Sequence, residues 1–178
     1  VLSLGGNSAD DTVTAGNYRV TGDLEYGGNP SLTFDTSGGD INLLVEGDVD
    51  ASNVDAEVLG GGKVSIYVTE NFETSGNAEW TNPDGAGNRL FVYTADGSET
   101  TDIQGEFYGV VFSESDLQLG GGTSVYGGIV MNGSDVNGGQ NIYFDEALSG
   151  TDVSMENDAQ TNARRTYLHL TQTTVGGN

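Results

Sequence analysis

The feature that most constrains this chain is an internal repeat. Phe107-Tyr108-Gly109-Val110-Val111-Phe112 realigns with Val125-Tyr126-Gly127-Gly128-Ile129-Val130 at an offset of 18 residues, and each copy runs on into a polar stretch. A second echo sets Val58-Leu59-Gly60-Gly61-Gly62 against Gln118-Leu119-Gly120-Gly121-Gly122, an offset of 60, which reads as about three periods. A short apolar run that returns after roughly 20 residues cannot bury its face alone. Stacking each turn on the next buries it, and the inward side chains then form one continuous core.

Strand signals fill the rest of the chain. Glycine supplies 29 residues and proline 2, and helix-period apolar patterns are almost missing. The expected strands run 18–24, 32–35, 41–49, 54–59, 64–72, 90–94, 107–112, 117–119, 125–131 and 142–145, with a further one over 166–171. The fold class expected is therefore all-β, a single-stranded right-handed parallel β-solenoid. Its turns occupy about 12–150, and a polar tail with a final capping strand occupies 151–178, all in one domain. An antiparallel sandwich or jelly roll is the alternative, kept open by the turn pairs Asp84-Gly85, Asp96-Gly97 and Asn132-Gly133.

Charge sets the surroundings. There are 27 acidic residues against 5 basic ones, a formal net charge of -22. Such a surface repels nucleic acid and anionic lipid headgroups, and in dilute buffer it repels itself, whereas molar salt screens it. A salt-adapted protein is the expectation. Low hydrophobicity with high net charge also marks unfolded chains. The dense β-branched and aromatic run Val64-Ser65-Ile66-Tyr67-Val68 argues for a fold instead. There is no cysteine, so packing must supply the stability. No stretch approaches the roughly 20 apolar residues of a membrane helix, so direct membrane insertion by this segment is not expected. The chain starts at Val1, which leads us to expect a signal or anchor segment upstream.

At this point a resemblance emerges. The stretches 107–112 and 125–130, with Leu119-Gly120-Gly121-Gly122 between them and Ile142-Tyr143-Phe144-Asp145-Glu146-Ala147-Leu148 after them, resemble the β-helical exterior domain of pilin-like and pilus-associated secreted proteins, the haloarchaeal ones most closely. The usual plan of these proteins is a hydrophobic anchor helix, then a β-rich exterior domain ending near a Tyr-Asp-Glu-Ala-Leu motif. Here Phe144 separates the tyrosine from the aspartate. The resemblance implies an extracellular, cell-surface location, a filament or adhesion role, and no catalytic residue.

Chemistry-bearing residues are few. His169 is the one histidine, so neither a histidine-based triad nor a multi-histidine metal site is available within one chain. Gly60-Gly61-Gly62-Lys63 lacks the leading glycine of a phosphate loop and has Val64 where a magnesium-binding Ser or Thr should stand. Asp48 and Asp50 are two apart and could share one strand face, as a carboxylate pair for glycan cleavage would. In so acidic a chain a solvated face is the plainer reading. Calcium is the one cofactor considered, with Asp48, Asp50 and Asp96 as candidate ligands. Residues 77–88 read as a projecting contact loop in which Trp80, Asp84 and Arg89 could meet a sugar or a neighbouring subunit. Asn132-Gly133-Ser134 is a glycosylation sequon.

The expected role is a non-enzymatic structural subunit of a surface filament, with itself, other surface proteins or a glycan as partners. A glycan-binding adhesin, a polymerising cytoskeletal solenoid like the bactofilins, and a polysaccharide-degrading β-helix are the alternatives.

Overall fold

The computed structural model describes residues 11–26, 30–95, 101–131, 136–137 and 140–149. Asp96, Asn132, His169 and the strand expected over 166–171 lie outside them. The chain lays down strands in triplets. The first is β1 Asp11–Thr14, β2 Gly16–Thr21 and β3 Leu24–Glu25. Then come β4 Ser31–Asp35, β5 Ile41–Glu46 and β6 Val49–Asp50. The third set is β7 Asp55–Leu59, β8 Val64–Val68 and β9 Phe72–Glu73. The fourth is β10 Glu79–Thr81, β11 Leu90–Thr94 and β12 Thr101–Ile103. Two longer strands, β13 Glu106–Ser113 and β15 Ser124–Met131, each do the work of the first two members of a triplet, and β14 Leu117–Leu119 and β16 Val136–Asn137 follow them. β17 Asn141–Phe144 leads into a 3-10 turn over Glu146–Leu148.

The protein is all-β, and among the described residues every ladder is parallel, which removes the antiparallel sandwich. One sheet holds eleven strands, with β13 joining the β1-β4-β7-β10 path to the β11-β8-β5-β2 path, and a second sheet runs β16-β14-β12-β9-β6-β3. Register makes the arrangement solenoid-like. Leu32 pairs with Ala56, Ala56 with Trp80, Trp80 with Phe107, Phe107 with Val125 and Val125 with Ile142. The first two of these turns are equal in length, the third is longer, and the last two are shorter.

The 18-residue repeat is thus one full turn, with β13 and β15 paired residue for residue from Glu106↔Ser124 to Ser113↔Met131. The second echo is not a whole number of turns. Leu59 closes β7 in the larger sheet and Leu119 closes β14 in the smaller one, so the two glycine triplets turn different corners. Unequal turn lengths are the reason: a fixed offset holds only where no loop intervenes.

Alternation explains the inward columns. In β5, Ile41, Leu43 and Val45 are buried while Asn42, Leu44 and Glu46 are only partly covered, the period of two that a half-buried strand requires. The centre of the core is aromatic. The Trp80 ring lies 6.3 Å from Phe34, 5.4 Å from Phe72 and 6.2 Å from Phe107. Corners carry threonines whose hydroxyls join turns: Thr36 donates to the Leu59 carbonyl at 2.6 Å and accepts from the Gly62 amide at 3.0 Å. Near one corner Thr94, Thr101, Ser113 and Ser115 are all buried and share hydroxyl contacts of 2.9 to 3.2 Å, so this polar group is satisfied internally.

Four expectations need correction. The single runs 18–24, 41–49 and 64–72 are each two strands, interrupted at Gly22-Asp23, at Gly47 and at Glu70-Asn71. Residues 77–88 do not project as one loop, because Glu79–Thr81 is β10 and Trp80 is 2% exposed. So short a strand between polar flanks offers no periodicity to read.

Candidate functional site

The loop after β10 is buried at Asn82 and Gly87, while its tip, Pro83-Asp84-Gly85, is exposed. Asn82 is buried; its side chain accepts from the Asp84 amide at 3.1 Å and donates to the Ala86 carbonyl at 3.1 Å. Asp84 and Arg89 form an ion pair at 2.5 Å, an intramolecular brace across this loop. The Gly87 amide donates to Asp145 Oδ2 at 2.5 Å, and a β-carbon at Gly87 would collide with the Tyr126 carbonyl and Gly127 of β15. Asp145 also accepts from the Ala147 amide at 2.9 Å, capping the 3-10 turn. Leu148 then packs on an outer apolar cluster of Phe91, Val110 and Phe112. The Asp145-to-Leu148 motif is therefore a clasp that ties the last turn to a loop three turns earlier. Of the expected contact residues, Asp84 and Arg89 sit on this loop but face each other, and Trp80 is core. The sugar-stacking role for Trp80 is lost with its burial.

The acidic candidates separate into two columns. Asp48 lies with Asp23 and Glu70, whose carboxylate oxygens approach within 4.8 Å of one another. Two of the three are already engaged by backbone: Asp23 Oδ1 accepts from the Asp48 amide at 3.1 Å, and Asp48 Oδ1 from the Asn71 amide at 2.9 Å. Asp50 belongs elsewhere. It stands in register with Glu25 on one side and Glu73 on the other, and Glu73 pairs with Asp102. Asp48 and Asp50 thus stand in separate columns, each among its own carboxylate neighbours.

The second column is a ladder of like charges one strand spacing apart, roughly 4.8 Å. Burial, then Asp50 and Asp102, push the Glu73 carboxyl above its ordinary range; burial raises Asp102 too, against a lowering contact from Gln104. A raised folded-state pKa means the native protein holds the proton more tightly than the unfolded chain. The contribution of these groups to stability therefore falls as pH rises from the ordinary carboxylate range through the raised value. Glu73→Gln should stabilise the protein at neutral pH and low salt by roughly 0.4–2 kcal/mol, at about 0.2–1 kcal/mol for each of two facing like-charge pairs. Thermal melts from pH 3 to 8 check this. The gain should vanish in acid, and a gain unchanged by pH would assign it to packing instead.

Two aromatic ladders run up the outside. Tyr67, Tyr93 and Phe112 stack at 4.7 and 4.6 Å; Tyr108, Tyr126 and Tyr143 stack at 4.4 and 4.8 Å. Burial, then Tyr67, pushes Tyr93 up to about 12, so it stays protonated through neutral pH. The rings spend their faces on one another, which leaves mainly edges for a ligand. A shallow groove of about 180 Å³ lies beside the β4, β7 and β10 strands, lined by Thr33, Asp55, Glu57 and Glu79 among others. Gly60-Gly61-Gly62 is a corner turn in which a Gly60 β-carbon would strike the Ser37 amide, and the Lys63 ammonium lies 5.6 Å from the Phe91 ring centre.

A family described as a domain of unknown function, DUF7305, matches residues 3–151. The chain belongs to the DUF7305 family. The match spans the whole run of described strands, so the stacked turns and the Asp145 clasp are what this DUF7305 member contributes structurally. No curated protein and no solved structure matches the chain. No helix among the described residues is long and apolar enough to cross a membrane.

The ladders and the clasp are not evident from the sequence. The repeat offset already superposes Tyr108 on Tyr126, a usable signal. The pairing of Tyr67 with Tyr93, separated along the chain by β10 and its loop, carries none.

Proposed function

We propose that this chain is a structural module: a right-handed, single-stranded β-solenoid exported from a salt-adapted cell and built into a surface filament or pilus-like assembly, with no catalytic role. The observation that carries the reading is the stack of parallel turns around one aromatic-centred core among the described residues, tied by the Asp145 clasp, which supports a stiff, preformed building block. Right-handed coiling follows from the near-universal hand of crossovers between parallel strands. The net charge of -22 supports life in high salt, where the Debye length shrinks to about 3 Å at 1 M and acidic walls can approach one another. The resemblance of 107–148 to haloarchaeal pilin-like domains supports export and an upstream anchor. In this reading, partners are further copies and other surface proteins.

Immunogold electron microscopy of intact cells kept in molar salt tests the role. Gold along extracellular filaments is the expected result. Label confined to the cytoplasm would replace the reading with the bactofilin-like one, and purified protein that releases reducing ends from acidic glycans would replace it with an enzyme.

A further inference from the structure

We propose that β17 is where two copies of this chain meet, pairing edge to edge and antiparallel about a two-fold axis. Among the described residues β17 pairs only with β15, so its other side presents unpaired backbone donors and acceptors. Its side chains are apolar and open: Ile142 is 42% exposed, Tyr143 49% and Phe144 67%. Ile142 continues the inward column of Trp80, Phe107 and Val125, and among the described residues Tyr143 ends the tyrosine ladder.

Charge selects the occupant. In a chain with 27 acidic residues, Asn141–Phe144 carries none, although Asp145 and Glu146 follow it, so a second copy can pair over these four residues without setting carboxylates opposite one another. The strand is short, four residues, but it carries neither the proline nor the lysine that commonly blocks an edge. It is held in extended form by its ladder to β15 and by the clasp that follows it, so little ordering remains to oppose association. The opposite end of the stack is different, with Val13 of β1 fully buried. A self-complementary contact through β17 therefore fits better than head-to-tail stacking, and two-fold contacts are the commonest among like subunits. The patch is small, so the contact is weak and needs both salt and concentration.

This inference deepens the self-association reading and rests on it. Sedimentation and light scattering of the full chain across protein concentration, at low and molar salt, test it with Phe144→Lys and Tyr143→Lys, two exposed positions where a lysine leaves the core untouched. A dimer in molar salt that weakens on dilution is expected, with each lysine raising its dissociation constant at least tenfold. Dimers unchanged in both variants would overturn the interface while leaving self-association standing. A monomer under all conditions would overturn the interface. If that monomer's β17 amides were slow to exchange and became fast on deleting residues 150–178, the occupant would be the chain's own tail. Filaments without dimers in dilute solution, persisting in the variants, would keep the structural role and remove this contact.

Discussion

Trp80→Ala should lower the stability by about 3–5 kcal/mol, the cost of emptying a large buried aromatic site that its neighbours cannot refill. Trp80 and three phenylalanines converge: Phe107 lies one turn after it, Phe72 meets it edge-on from the turn before, and Phe34 approaches from two turns before. A hole there breaks the column that links the early turns to the late ones. Cooperativity should suffer as well, because each turn is supported chiefly by its neighbours. Trp80→Phe should cost much less. The indole Nε1 is buried with no hydrogen-bond partner among the described residues, so removing it relieves an unmet donor and offsets part of the lost volume. Urea melts of the three proteins in molar salt check this. Equal losses for Ala and Phe would show that the indole makes a polar contact that decides its identity.

Gly127→Ala should cost about 2–4 kcal/mol although it adds one methyl group, because two penalties act together. β15 turns a corner in mid-strand at Gly127, with φ 152, and an added β-carbon there would run into the Gly109 carbonyl of the turn below. Gly109 is the same position one turn earlier, and its own β-carbon would press on the Leu90 carbonyl. Overpacking typically costs about 1–3 kcal/mol, and a backbone held where L-residues rarely go adds a similar amount. The contrast is Gly121, where nothing lies within 4 Å of an added β-carbon. Gly121→Ala should change the melting temperature little, and similar losses at the two sites would refute the steric account.

These glycines show what can be read from the chain. The Tyr-Gly repeat is legible because two consecutive turns, 107–112 and 125–130, carry no loop and so keep one spacing. Parallel stacking follows from it, since strands that return in register after a whole turn have no antiparallel partner nearby. Where a loop intervenes, that legibility is lost. Residues 82–89 lengthen the turn between Trp80 and Phe107 beyond the turns before it, and with the spacing gone β10 looks like part of the loop. Trp80 then reads as a surface residue, although a lone tryptophan in a polar stretch is what a very short core strand looks like.

Surface chemistry is harder to see than the core. Asp50, Glu73 and Asp102 form a ladder only because turns of unequal length bring them to one position, and an acidic chain offers many such spacings by chance. The candidate pair Asp48 and Asp50 rests on strand alternation alone, whereas the chain bends at Gly47 and their neighbours come from different columns. Asp145 is legible as part of a motif but not as a clasp. Its partner, the Gly87 amide, belongs to backbone that composition does not mark.

Cryo-electron microscopy of the full-length protein in molar salt tests the central claim, that this is a stack of parallel turns which works by assembling. The account predicts ordered elongated particles or filaments with density repeating every ~4.7–4.9 Å along the long axis, the strand spacing of stacked turns. Single compact particles at every salt and protein concentration, with no such repeat along any axis, would contradict it.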